Sequence, residues 1–412
     1  GRIIDPSSLG IFRFLFGLLL CVELLLFFNK DYLSYYYLKS NIHFTYPIFN
    51  LLQLDLLPKP FLGISYYFMW LYAFGIMLGL LTRLSFIVFT LSFGYLFFME
   101  SALYTNHYYL IFLISFLMCF GHSGHSFSLD SLFYRVKKRD IYYWELFLLR
   151  FQICLVFFYG GIAKLNMDWI LQNTPVYFNV LENLSLSGYP FEEKWMAIIF
   201  SSSGLILDLG LGIYLFINSW TRLNFVFLYL FNVLNILFFW GSIHTFPYLM
   251  VFSYILFLEP SMIKNLLNRF KRPNERVKKH QTQGTKTTVI PPKTAWVVGF
   301  VFIYTTFQVI IPLRHWFYVR HLRWTKEGSH FSWRMMADFH QARLTMYVEN
   351  PQTKEVSIHH PSVLINHKQL KMAYTPRMLY QYVQFLKQQL MQEGFDNPII
   401  KAHTKVSLNG RP

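Results

Sequence analysis

Long apolar stretches separated by short polar joints dominate the chain. Stretches long enough, or nearly long enough, to cross a bilayer fall at roughly 9–28, 60–81, 84–100, 105–122, 144–163, 197–217, 222–240, 245–259 and 295–313. About 20 apolar residues of helix cover a hydrocarbon core of about 30 Å. The pattern therefore predicts eight or nine transmembrane helices over residues 1–313, with 245–259 doubling as a candidate re-entrant or tightly packed segment. The first apolar run follows Asp5-Pro6-Ser7-Ser8, a good helix start, and no small-residue cleavage pattern follows it. It is kept as the first span, not as a removable leader.

Beyond residue 313 the period changes. Leu344–Val348 and Glu355–His359 read as a hairpin around Asn350-Pro351, Pro376–Met391 has the spacing of an amphipathic helix, and Ile399–Leu408 reads as a final strand. The expected fold class is an all-α polytopic membrane domain (residues 1–313) with a small C-terminal α+β extramembrane module (residues 314–412). The module is too short for a large core of its own and is expected to rest on the membrane domain's outer face.

Composition changes little in this picture: 54% hydrophobic, 20% aromatic and 14% charged residues belong to a bilayer, not to water. The net charge of +16 changes it more, through its location. Arg135, Lys137, Lys138 and Arg139 share one connection, and Lys264, Arg269, Lys271, Arg272, Arg276, Lys278 and Lys279 share another. The positive-inside rule puts both in the cytoplasm. With nine spans the N-terminus is then inside, while the 164–195 connection (Asp168, Glu182, Glu192, Glu193) and the tail from Arg314 are outside. The basic connections are read as facing anionic headgroups. No aromatic-basic reading surface accompanies them, so no nucleic-acid partner is expected. Cys21, Cys119 and Cys154 fall within spans and share no metal or redox spacing. No nucleotide-binding loop and no metal motif occurs, and no metal is expected.

That topology gathers polar residues at the outer face. Asn106 and His107 begin the fourth span there, Lys164 ends the fifth, and Ser242, His244 and Thr245 occupy the turn between the seventh and eighth. Each alone is an ordinary helix-end residue; several at one face suggest a site. Lys164 either snorkels to the headgroups or sits in a pocket as a neutral base. Arg150 and Gln152 lie three to four turns earlier on the same helix, candidates for substrate contact or for pairing with a neighbouring span. Asp168 is read as capping a following turn and Trp169 as an interfacial aromatic.

At these residues the chain resembles the vitamin K-dependent gamma-glutamyl carboxylase family, in a short form. The resemblance rests on Asp5-Pro6 with Ile11-Phe12-Arg13-Phe14-Leu15-Phe16-Gly17, Gly75-Ile76-Met77-Leu78-Gly79-Leu80, Asn106-His107-Tyr108-Tyr109-Leu110 and Leu149-Arg150-Phe151-Gln152, then Lys164-Leu165 with Asp168-Trp169, and Phe331-Ser332-Trp333-Arg334-Met335-Met336. These occur in the family's order across nearly the whole chain. The resemblance implies an enzyme that oxygenates vitamin K hydroquinone to the epoxide and uses the strong base so formed to take a gamma proton from a glutamyl residue, whose carbanion captures CO2. It implies reduced vitamin K, O2 and CO2 as cofactor and co-substrates, a glutamate-containing peptide or protein as partner, and an integral membrane location with the site on the non-cytoplasmic (periplasmic, extracellular or lumenal) face. Lys164 matches the family's base; Asn106 and His107 match its hydrogen-bond donors to the quinone oxygen. Ser332, Trp333, Arg334, Met335 and Met336 are expected at the substrate or cofactor site, with Trp333 and the two methionines lining the quinone pocket.

The chain departs from the animal members at three positions: Ala163 replaces a second lysine, Asn232 a histidine and Ser329 a tyrosine. No counterpart of the extra domain those members use with propeptide substrates is expected after Ser407-Leu408-Asn409. Three rival readings remain: a quinone epoxidase without peptide carboxylation, a non-enzymatic lipid- or quinone-binding scaffold, and a transporter, for which no inverted repeat is found.

Overall fold

A computed structural model of the chain describes residues 2–46, 57–133, 140–178, 193–217, 222–243, 245–259, 262–263, 294–319 and 321–411. The two basic connections lie outside these residues, as do His244 and the side chain of Ser242. The helices of the membrane domain are α1 (Ser7–Asn29), α2 (Lys59–Leu78), α3 (Thr82–Met99), α4 (Asn106–Phe120), α5 (Tyr143–Lys164), α6 (Glu193–Ile217), α7 (Arg222–Ile243), α8 (Phe246–Ser253) and α9 (Thr294–Leu313). Six of them, α1, α2, α3, α5, α6 and α9, contain stretches long and apolar enough to span a membrane, and the apolar helices around α4, α7 and α8 are shorter among the described residues. These helices carry no polar stripe because lipid or another helix covers every side.

Their ends are fixed by local chemistry. Gly79, at a left-handed φ of 67°, closes α2 with its N–H on Ile76 O at 3.2 Å, and Arg13 of α1 reaches across to donate to the carbonyl oxygens of Ile76 (2.5 Å) and Met77 (3.0 Å) at that helix end. Asp130 accepts from Leu81 N at 2.7 Å and Thr82 N at 2.8 Å, a carboxylate at the start of α3.

The uncertain eighth stretch is a short packed segment. Helix α8 passes into a 3-10 turn, Tyr254–Phe257, and Leu249, Met250, Leu256 and Phe257 are buried. Its start is tied to Glu23, near the outer end of α1, by Thr245; its end is tied to Arg150, two turns into α5 from the inner side, whose Nε donates to Leu256 O at 2.7 Å. Twelve residues thus carry the chain most of the way back through the bundle.

The C-terminal module is an antiparallel sheet with one long helix among its described residues. Strand β3 (His340–Glu349) is central, β4 (Val356–His359) and β5 (Ile399–Leu408) flank it, and α10 (Pro376–Gln392) packs on the sheet. The pair β1 (Ile3–Ile4) and β2 (Ile141–Tyr142) joins the starts of α1 and α5. The β3–β5 register runs from His340 opposite Leu408 to Glu349 opposite Ile399. Its core is shared: Met346, Val348, Met372, Met378, Tyr382 and Leu386 form one cluster with Ile42, Phe44 and Ala102 from the membrane domain's connections. Buried Gln369 donates to Ile42 O at 2.7 Å and to Glu100 at 3.0 Å. The module therefore borrows the apolar surface it lacks, and it touches connections 30–46, 100–105 and 165–178, all on the face that sequence assigns to the outside.

Candidate functional site

Glycine brings the site together. A Cβ on Gly161 of α5 would meet Leu209 of α6 within 2.6 Å, and one on Gly212 would meet the backbone of Phe158 at 2.6 Å. Only small residues let two helices approach so closely in a membrane. The approach sets Asp208 of α6 beside the last turn of α5, where Gly160 leaves room for it. Lys164 Nζ donates to Asp208 Oδ2, and the two side chains are only 8% and 3% exposed. After α5 the chain turns back, with Asn166 Oδ1 accepting from Trp169 N at 3.1 Å. Trp169 is thereby laid over the amine, its ring centre 5.2 Å from Nζ, and its Nε1 is anchored on Ser201 O at 2.9 Å.

Opposite stands the start of α4. Thr105 caps the helix by accepting from Tyr108 N, which exposes Asn106 and His107 at its first turn. The His107 ring is buried against Tyr108 at 4.1 Å. The connection from α9 to β3 supplies the roof. Phe331, Trp333 and Met336 all have left-handed φ (59°, 56° and 51°), a conformation that persists only where surrounding contacts impose it. Arg314 Nη2 donates to His330 O and Nη1 to Ile311 O, at the start of that connection.

These elements enclose a cavity of about 260 Å³. Phe157, Trp169, Phe200, Phe231, Phe246, Met335 and Met336 give it an apolar body; Asn106, His107, Lys164, Asp208, Asn232 and Asn235 supply its polar groups. Apolar walls with a few convergent polar groups describe a ligand pocket, here just below the usual range of roughly 300 Å³ upward. Those walls fit the flat ring system of a naphthohydroquinone, and the polar groups fit its hydroxyls.

Of the residues singled out in sequence, Lys164, Asn106, His107, Met335 and Met336 line this cavity. Trp169 and Asn232 line it too, whereas Trp333, Ser332, Arg334, Arg150, Gln152 and Thr245 do not. Trp333 is fully buried behind the wall, stacked on Tyr109 at 4.9 Å. Ser332 donates to Ser329 O, and Arg334 pairs with Asp338 at 3.3 Å. Arg150 holds Leu256, and Gln152 Oε1 accepts from Tyr304 of α9 at 2.7 Å, so both serve helix packing. Thr245 donates to Glu23, which also accepts from Tyr108 at 3.0 Å. Asn232, which departs from the histidine of the animal members, donates to Leu228 O at 2.8 Å and to Tyr254 at 2.7 Å while lining the cavity.

Two sequence readings need correction. Asp168 does not cap a turn; Asn166 does, and Asp168 accepts from Arg323 at 2.6 Å, Asn409 at 2.9 Å and Arg411, joining the membrane domain to the module. Trp169 is not an interfacial ring but a buried wall of the cavity. Sequence reasoning also passed over Asp208. A lone carboxylate in Leu205-Ile206-Leu207-Asp208-Leu209 was signal enough, because an ionisable residue in a span implies a partner.

Two family models account for most of the sequence. The HTTM domain matches residues 2–262, and the lumenal domain of vitamin K-dependent gamma-carboxylase matches residues 293–412, which takes in α9 as well as the module. No solved structure matches the chain. The fold and these matches define a multi-pass membrane protein bearing a lumenal domain. The chain belongs to the vitamin K-dependent gamma-glutamyl carboxylase family, whose members act on glutamate-containing proteins with reduced vitamin K, O2 and CO2.

Proposed function

We propose that the protein oxygenates vitamin K hydroquinone to its epoxide and couples that oxidation to carboxylation of glutamyl residues by CO2, with the site at the non-cytoplasmic face. The observation that carries this reading is the Lys164–Asp208 pair meeting Asn106 and His107 in one apolar cavity. In the overall reaction one oxygen atom of O2 enters the epoxide and the other leaves as water, while a C–H bond of glutamate is exchanged for a C–C bond to CO2.

Lys164 takes the proton from the hydroquinone hydroxyl. Lys164 and Asp208 act as one hydrogen-bonded unit that holds a single proton between them, and with that proton on the carboxyl group the amine is free to accept another. Accepting the quinol proton gives that unit a net positive charge facing the quinolate, an attraction that a low-dielectric cavity strengthens. Asn106 and His107 donate to the oxygen on which negative charge develops. The rings of Phe157, Trp169, Phe200 and Phe231 keep out water, which would otherwise quench a base strong enough to act on a carbon acid.

The test is anaerobic incubation of the purified protein with reduced vitamin K, admission of O2, and assay for epoxide with and without CO2 and a glutamyl peptide. Epoxide together with carboxylated peptide supports the full reading. Epoxide alone supports quinone oxygenation without carboxylation, and neither product overturns both.

A further inference from the structure

Asn106 can stabilise an oxyanion only if its amide N–H groups, and not its carbonyl oxygen, face the cavity. A side-chain amide can flip, so something must fix it. The fixing contact comes from Tyr104, two residues earlier. The Tyr104 hydroxyl oxygen accepts from the backbone N–H of Phe331 at 2.7 Å. Its single proton has Asn106 Oδ1, at 3.0 Å, as its acceptor among the described residues. The amide oxygen is thereby committed to Tyr104, and both N–H bonds are left for the cavity that Asn106 lines. The phenol ring cannot swing away, since it stacks on His330 at 4.4 Å and meets the edge of Phe331 at 5.2 Å.

We infer that Tyr104 is a positioning residue that orients Asn106 toward the quinone oxygen and ties that orientation to the seating of the 330–336 segment. The inference rests on the function proposed above. The segment that gives Phe331 N–H to Tyr104 also gives Met335 and Met336 to the cavity roof, so closing the roof and aiming the amide are one event.

The experiment is a double-mutant cycle on epoxide formation in the full-length protein, with Tyr104→Phe, Asn106→Ala and the pair. Tyr104→Phe keeps the ring and its stacking and removes only the hydroxyl. It is expected to lower kcat by ~10-fold, the scale of one hydrogen bond, with KM for reduced vitamin K within about twofold. Asn106→Ala is expected to lower kcat by ~10²-fold, and adding Tyr104→Phe to it is expected to cost nothing more. Asn106→Asp provides a second check: it keeps an acceptor for Tyr104 but offers the quinone no N–H, so it should be as impaired as Asn106→Ala. Losses that add in the cycle, an unaffected Tyr104→Phe, or an active Asn106→Asp would each overturn the positioning role while wild-type turnover leaves the proposed function standing. A wild-type protein that forms no epoxide would overturn the function itself, and this role with it.

Discussion

Lys164 and Asp208 make a buried ion pair across the α5–α6 contact, with Trp169 covering the amine. The lysine therefore neither snorkels to headgroups nor stands alone as a free amine. Removing its carboxylate by Asp208→Asn would take away the group that holds the Lys164 amine in the cavity and shares its proton. Breaking such a pair costs about 3 kcal/mol, which corresponds to a loss of about 10²-fold in rate. Single-turnover epoxide formation by Asp208→Asn should fall by that order while membrane insertion is retained. Unaltered turnover would mean that Lys164 works without its partner.

Helix spacing is a second handle on the same pair. Any side chain at Gly161 collides with Leu209, so Gly161→Val should force α6 away from α5 and reduce epoxide formation at least as far as Asp208→Asn does. Gly210 is the control. A Cβ there meets nothing within 4 Å, so Gly210→Ala should keep activity and stabilise the helix by up to about 1 kcal/mol. Parallel thermal melts and turnover assays of the two variants separate spacing from general damage.

Much of this architecture was legible in the sequence because the bilayer and the pleat impose simple periods. Residues 399–408 form the expected strand, and the helix expected over 376–391 runs over 376–392. Lys164, Asn106 and His107 could be grouped because each sits at a span's end, where topology alone fixes the face. Arg150 and Gln152 could not be resolved, since their depth was known but not the neighbours, Leu256 and Tyr304, that satisfy them. Asp208 escaped for the converse reason: it lies well inside a span, and only the glycine-mediated approach of α6 brings it level with Lys164. Asp168 was misread because its partners lie 155 and more residues away, in the module.

The joint between the two parts should respond to pH. Burial alone would raise the Asp168 carboxyl, but hydrogen bonds from Asn409 and Arg323 outweigh it and hold the group below its ordinary value of 3.8. Asp338 is likewise held down, against burial, by Lys326, Arg334 and Arg323. Their stabilisation is present above pH 3.8 and is lost as pH falls through the lowered values. Burial pushes Lys326 and Lys371 down from 10.5 to about 8, so the folded state binds fewer protons between those values and docking should tighten as pH rises through that window. Hydrogen exchange of residues 399–411 should show deprotection below pH 4. Asp168→Asn should raise that exchange already at neutral pH.

Membrane orientation can be read with single cysteines, because Cys21, Cys119 and Cys154 are buried and give little background. A cysteine at Asn350 should react with a membrane-impermeant thiol reagent in intact cells, and one at Gly284 should resist it. The reverse pattern would place the cavity mouth in the cytoplasm.

The most direct measurement is epoxide formation by Lys164→Arg. Arginine preserves the charge, can reach Asp208 and would satisfy any purely interfacial or packing role, yet its guanidinium does not give up its proton and so cannot accept one. The proposed mechanism requires this variant to insert in the membrane, bind the quinone and form no epoxide. Near-normal epoxide formation would contradict the assignment of Lys164 as the base.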